Sequence, residues 1–156
     1  MIVDVGEVDA RFLRRLKSEF DESHLACFQC GVCSASCPVI GIEASFNPRR
    51  LVKIARMGFK RLVLSSEYIW LCSMCLLCEE RCPQGVRIPE VMTALRNLAV
   101  EEGYIPEAMR RILKTLSEAG RLYPIDDFTE EERTDRGLPQ VEAEPDFVKR
   151  LTVMRL

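Results

Sequence analysis

Four cysteines and a proline occupy the twelve residues of "CFQCGVCSASCP", Cys27 to Pro38, and the same spacing returns in "CSMCLLCEERCP", Cys72 to Pro83. Each block reads C-x2-C-x2-C-x3-C-P, and Cys27, Cys30, Cys33, Cys37 and Pro38 recur 45 positions later as Cys72, Cys75, Cys78, Cys82 and Pro83. The blocks contain all eight cysteines of the chain. Thiols this close together serve as disulfides, as a zinc site or as iron–sulfur ligands. Cysteines at every second or third position cannot pair locally without strain. The start, "MIVDVGEVDA", shows neither a basic nor an apolar signal region, so the expected compartment is the cytosol, where thiols stay reduced. Zinc is normally held by two separated CxxC or CxxH pairs. Three cysteines spaced by two wrap instead around one corner of a cubane, each thiolate reaching a different iron. The fourth, followed by proline, ligates the other cluster of a pair. The spacing therefore predicts two 4Fe–4S clusters.

Two-cluster logic assigns the ligands crosswise. One cluster takes Cys27, Cys30, Cys33 and Cys82; the other takes Cys72, Cys75, Cys78 and Cys37. Exchanging the fourth ligand ties the two halves together, which couples cluster binding to folding. Between the ligands the blocks share little sequence, so the repeat is expected to lie in the ligands alone. Gly31 stands where backbone must approach a cluster and a positive φ is useful. Pro38 and Pro83 fix φ and remove an N–H just after the last ligand. Val32, Met74, Leu76 and Leu77 are apolar, which suits either a shield against water or ordinary core packing.

The elements that must position these blocks read as helices. Phe12, Leu13, Leu16 and Phe20 fall at helical spacing behind Asp9, a suitable N-cap. "NPRRLVKIARMG" starts on Asn47 as cap with Pro48 at the first helical position and ends at Gly58. "IPEVMTALRNLAVEEG" puts Ile88, Val91, Met92, Leu95, Leu98 and Ala99 on one face and stops at Gly103. "PEAMRRILKTLSEAG" does the same with Met109, Ile112, Leu113 and Leu116, stopping at Gly120. No segment alternates as a strand does. The 34 residues between Cys37 and Cys72 hold a capped helix, unlike the tight link of small strand-based ferredoxins. The expected fold is all-α, a helical ferredoxin with its two clusters between helices.

The expected domain covers residues 1–120, followed by an acidic, proline-containing tail over residues 121–156. Nine acidic residues lie between Asp126 and Asp146, and Pro124, Pro139 and Pro145 interrupt the tail. Thr129 and Glu132 could form a capping box for a short helical turn. A solvated tail is one reading. A partner-binding arm is the other, because Phe128, Leu138, Val141, Phe147, Val148 and Leu151 supply apolar anchors.

Composition narrows the function classes. With 22 basic and 24 acidic residues the formal charge is −2, which gives no case for nucleic acid. No apolar run reaches the roughly 20 residues of a membrane span. No glycine loop of dinucleotide or P-loop type occurs, and no nucleophile or acid–base constellation marks a substrate site. His24, the single histidine, has a packing or surface role, since cysteine already fills eight ligand positions. Trp70 packs a helix end rather than conducting electrons. Arginine outnumbers lysine 17 to five, and "RRLVKIAR" with Arg110 and Arg111 reads as solvated helix faces or docking patches.

Together, "CFQCGVCSASCPV", "FNPRRLVKIARMG" and "IWLCSMCLLCEERCPQGVRIPEVMTALRNLAVEEG" resemble the C-type subunit of heterodisulfide reductase from Cys27 to Gly103. The resemblance implies a small helical ferredoxin with two 4Fe–4S clusters ligated by the eight cysteines. It implies a relay of electrons between a flavin-bearing A-type subunit and a catalytic B-type subunit that reduces a disulfide. The CCG motifs of the B type are missing here. Similar double blocks occur in iron–sulfur subunits of succinate, glycerol-3-phosphate and lactate or glycolate oxidation, which usually bring further domains. A structural zinc scaffold is the alternative from a different class.

Overall fold

The structure is a computed structural model; it describes residues 4–19, 22–123 and 125–139, together with Asp146, Val148 and Arg150. The expectations placed on Phe20, Pro124, Val141, Pro145, Phe147 and Leu151 lie outside the described residues. The chain divides into two compact units, Met1–Tyr104 and Ile105–Leu156. Among the described residues all regular structure is helical, eight α-helices and four 3-10 turns, so the fold is all-α as expected.

In the first unit, α1 (Ala10–Glu19) opens on Asp9, whose Oδ1 accepts the N–H groups of Arg11 and Phe12 at 2.7 and 3.0 Å. Those bonds satisfy donors that a helix start otherwise leaves open. They also favour the carboxylate, holding the Asp9 pKa below its ordinary value, the Phe12 N–H being the largest cause. Phe12 and Leu16 of α1 enter the core. The short helices α2 (Val32–Ala35) and α5 (Leu77–Glu80) lie within the cysteine blocks. Between the blocks run α3 (Pro48–Arg56) and α4 (Lys60–Leu64). Asn47 caps α3 by accepting the Arg50 N–H at 3.0 Å, with Pro48 at the first position as the sequence predicts.

Gly58 makes the turn out of α3 at φ 81°, and its carbonyl accepts the Asp9 N–H at 2.9 Å. A Cβ there would lie 3.0 Å from Val8 and 3.2 Å from Leu13, so both conformation and space require glycine.

The central element is α6 (Ile88–Glu101), which packs against α1, α3, α4, α5 and the 3-10 turn Glu67–Leu71. Val91, Met92, Leu95, Leu98 and Ala99 are buried on it, which is the face read from the sequence, and Ala94 and Pro89 join them. Met92 and Leu95 have no exposed area. The second block's helix α5 rests on α6, while the first block's helix α2 rests on α3 and α5.

The second unit holds α7 (Glu107–Ala119) and α8 (Asp127–Asp135). Gly120 ends α7 in the left-handed region at φ 69°, donating to the Leu116 carbonyl at 2.9 Å. The capping box expected at Thr129 and Glu132 is corrected. The cap is Asp126, whose Oδ1 accepts the Thr129 N–H at 2.8 Å, so Thr129 already lies inside a nine-residue helix. A carboxylate at this position satisfies the open donors and also suits the positive end of the helix.

Candidate metal centre

The repeat seen in the cysteines extends to the backbone around them. A 3-10 turn precedes each block, Glu22–Ala26 and Glu67–Leu71, and each first cysteine follows directly. Two left-handed residues then bend each loop: Gln29 and Gly31 at φ 66° and 88°, Met74 and Leu76 at φ 55° and 63°. A one-turn helix follows, α2 or α5. The Ser34 and Ala35 N–H groups donate to the Gly31 carbonyl, as those of Glu79 and Glu80 do to Leu76. These matching positions are again 45 apart, like the bonded pair Ser36 and Arg81. The expectation that only the ligands repeat is therefore corrected. Unlike side chains follow one path because that path brings three thiols of each block to one recess. Gln29, Met74 and Leu76 are the non-glycine residues with positive φ among those described, and all lie in the blocks. Such strain persists where surrounding structure enforces it, typically at functional sites.

Two recesses result. One is lined by Cys27, Cys30, Cys33 and Cys82 with Arg49, Val32 and Val86. The other is lined by Cys37, Cys72, Cys75 and Cys78 with Phe46, Leu76 and Met92. Each joins three cysteines of one block to the last cysteine of the other, and Ile88 lines both. Exposure follows the repeat: Cys33 and Cys78 are buried, Cys30 and Cys75 exposed, the other four in between. Burial raises the Cys33 thiol pKa, and it pushes Cys78 up to about 12, with the charges of Cys72 and Cys33 adding to the effect.

The donor set fits a cubane. Zinc holds sulfurs at about 2.3 Å, which brings them to roughly 4 Å from one another. The thiols instead border a recess, as ligands to separate irons of one cluster do.

Two arginines hold the blocks in place: Arg56, which the sequence reading left on a solvated face, and Arg96, which it did not single out. Arg56 of α3 donates from Nη1 to the Cys27 carbonyl. Arg96 of α6 donates from Nη2 to the Cys72 carbonyl at 2.7 Å, and it also reaches the carbonyls of Ile69 and Trp70 at 2.8 and 3.3 Å. Each first ligand is thus fixed by a guanidinium from a neighbouring helix. Arginine at helical spacing looks alike whether it faces water or a loop, so the sequence held no signal for this. His24 is buried in the first 3-10 turn at the position where the second turn buries Ile69, so packing is its role. Trp70 packs against the core. Val32 and Leu76 stay partly exposed at the recess mouths, and Met74 is exposed beside Cys72; none joins the core.

A family profile described as a 4Fe-4S dicluster domain matches residues 23–86. The C-type subunit of the ferredoxin:CoB-CoM heterodisulfide reductase of Methanosarcina mazei is 38% identical over 117 residues, 75% of this chain and 71% of that protein. The C-type subunit of the H(2):CoB-CoM heterodisulfide,ferredoxin reductase of Methanothermobacter thermautotrophicus is 33% identical over 140 residues, 90% of this chain and 75% of that protein. The chain belongs to the family of heterodisulfide reductase C-type subunits. As a member of that family it carries two 4Fe–4S clusters and serves in electron transfer within a complex. Among its described residues no helix is long and apolar enough to cross a membrane.

Proposed function

We propose that this protein relays single electrons through its two clusters between a flavin-bearing A-type subunit and a catalytic B-type subunit in the cytosol. The B-type partner carries out the disulfide or thiol chemistry. Cys27, Cys30, Cys33 and Cys82 hold one cluster, and Cys72, Cys75, Cys78 and Cys37 hold the other. The observation that carries this reading is the pair of four-thiol recesses with Ile88 as a shared wall. When bound, each cubane supplies a one-electron carrier whose potential the protein sets by burial, charge and hydrogen bonds to sulfur. The chain's own part is to hold the two sets of thiols side by side and to keep the loops rigid through Arg56 and Arg96. It also presents each mouth to a partner.

Both mouths are suited to docking. Phe28 at the first is 60% exposed and Leu76 at the second is 50% exposed. Exposed apolar residues beside a redox centre are what a partner covers. In the tail, Phe128 and Leu138 are also exposed, which supports the reading of residues 121–156 as a partner-binding arm. The test is anaerobic purification of the tagged chain from its own source. A brown complex containing about eight irons per copy of this chain, a flavoprotein and a CCG-containing partner is expected. A colourless zinc protein, or one without either partner, would overturn the proposal.

A further inference from the structure

The backbone repeat and the matched exposure of the cysteines would give two equivalent clusters, yet the polar groups around the two recesses differ. Cys27 Sγ accepts a hydrogen bond from Gln29 Nε2 at 3.3 Å, and Cys82 Sγ accepts the Val86 N–H at 3.2 Å. Both sulfurs line the first recess, which Arg49 also lines, its guanidinium donating to the Gln29 carbonyl at 3.4 Å. At the second recess the counterpart of Gln29 is Met74, a thioether with no proton to donate, 4.0 Å from Cys72 Sγ. Among the described residues the Cys78 thiol receives only its own backbone N–H, whereas Cys33 in the first recess receives both the hydroxyl and the N–H of Ser34, and no charged residue lines the second recess. Glu79 and Glu80 of α5 replace the uncharged Ser34 and Ala35 of α2 beside the ligands.

Most of these differences act in the same direction, opposed by the Arg81 guanidinium that reaches Ser36 beside Cys37 at 3.4 Å. Reduction adds negative charge to a cluster and its sulfurs. N–H donors and a cation stabilise that charge, whereas an apolar wall and nearby carboxylates do not. We infer that the cluster held by Cys27, Cys30, Cys33 and Cys82 has the higher reduction potential, and that Gln29, opposed by Met74 in the sister loop, sets much of the difference. One electron then runs downhill from the Cys72 side to the Cys27 side. One cluster is oxidised by one electron as the other is reduced by one, with no bond or proton exchanged. The donor docks beside Leu76 and the acceptor beside Phe28. This direction rests on the crossed ligand sets proposed above.

The test exchanges the two residues. Both occupy the left-handed region at the same position of the two loops, so Gln29→Met and Met74→Gln keep the backbone path. The full chain, reconstituted anaerobically, is titrated with reductant while electron paramagnetic resonance follows each cluster. Two separate one-electron waves are expected in the unaltered protein. Gln29→Met should lower the upper wave and leave the lower one in place, and Met74→Gln should raise the lower one. A tenfold shift in either equilibrium corresponds to about 59 mV for one electron, the scale of one hydrogen bond. The inference is overturned if Gln29→Met moves the lower wave, both waves or neither. An unaltered protein that holds fewer than about eight irons would overturn the two-cluster reading instead, which iron analysis shows before any titration.

Discussion

The guanidinium of Arg96 holds the carbonyl of Cys72 at 2.7 Å while its Nε holds the Ile69 carbonyl at 2.8 Å. One planar group thereby fixes both ends of the segment that delivers the first ligand of the second block. Lysine has no fork and cannot span the two carbonyls. Replacing Arg96 with lysine or alanine should cost about 1.5–3 kcal/mol, the range for hydrogen bonds to a charged group. The damage should be local. In Arg96→Lys the spectrum of the cluster beside Cys72 is expected to broaden and its iron to be lost first, with the Cys27 side unchanged. Chemical denaturation and resonance spectra of the reduced variant check both points.

Gly31 and Leu76 share one backbone position in the two loops, at φ 88° and 63°. Around Gly31 a Cβ meets nothing closer than Arg49 Nη1 at 3.7 Å, so space is not the obstacle. Conformation is. Gly31→Ala should therefore destabilise by about 1–2 kcal/mol, the penalty of a side chain in the left-handed region. Leu76→Gly should recover a similar amount while removing an apolar wall of the second recess. The variant is expected to resist denaturant better yet lose its cluster to oxygen faster. Equal oxygen lifetimes would show that Leu76 does not shield.

These two pairs show what could be read from the sequence and what could not. Cysteine spacing is chemically specific, so the metal chemistry was legible, and the same spacing leads to the crossed ligand sets proposed above. The helix caps at Asp9 and Asn47 were legible for the same reason, because a short polar acceptor before an apolar period has few other uses. The backbone repeat was hidden, since Gly31 and Leu76 look unrelated until their φ values are compared. Arg56 and Arg96 were hidden because a charged residue on a helix is ordinary, and only tertiary packing brings it to a carbonyl. At Thr129, Asp126 takes the cap three residues earlier, and its carboxylate accepts the Thr129 N–H.

Crossed ligation is directly testable at Cys37, which lines the recess with Cys72, Cys75 and Cys78 although it belongs to the first block. Cys37→Ser should disturb the cluster on the Cys72 side and leave the Cys27 side near normal. Iron content should fall toward about half of the full eight. Resonance damage confined to the Cys27 cluster would show that each block serves itself.

The buried thiols give the cluster-free chain a pH dependence. Folding raises the Cys78 pKa from an ordinary 9.0 to about 12, burial being the main cause, and it raises Cys33 as well. A thiol whose folded pKa lies above its unfolded value contributes stability that is complete below about 9. That contribution is lost as pH climbs toward 12, because the unfolded chain ionises first. The unfolding midpoint of the cluster-free protein should thus be flat near neutrality and fall above pH 9. Cys33→Ala with Cys78→Ala should flatten that fall. Alkylation at neutral pH should mark the exposed Cys30 and Cys75 first and the buried pair last.

All eight cysteines lie within Met1–Tyr104, so the second unit supplies no cysteine ligand. A chain ending at Gly120 should therefore keep both clusters and both recesses. It would lack Phe128, 69% exposed, and Leu138, 48% exposed, which a helix and its following turn present without a core to enter. Burying an apolar side chain of that size contributes about 1.5–3 kcal/mol, and every 1.4 kcal/mol is roughly tenfold in affinity. Shortening the chain is expected to weaken binding to a B-type partner by tenfold or more while iron content and spectra stay the same. Phe128→Ser in the full chain should reproduce part of the loss. Affinity and electron delivery measured side by side decide the matter. Equal values for the full and shortened chains would leave the tail a solvated extension, with docking confined to the rims at Phe28 and Leu76.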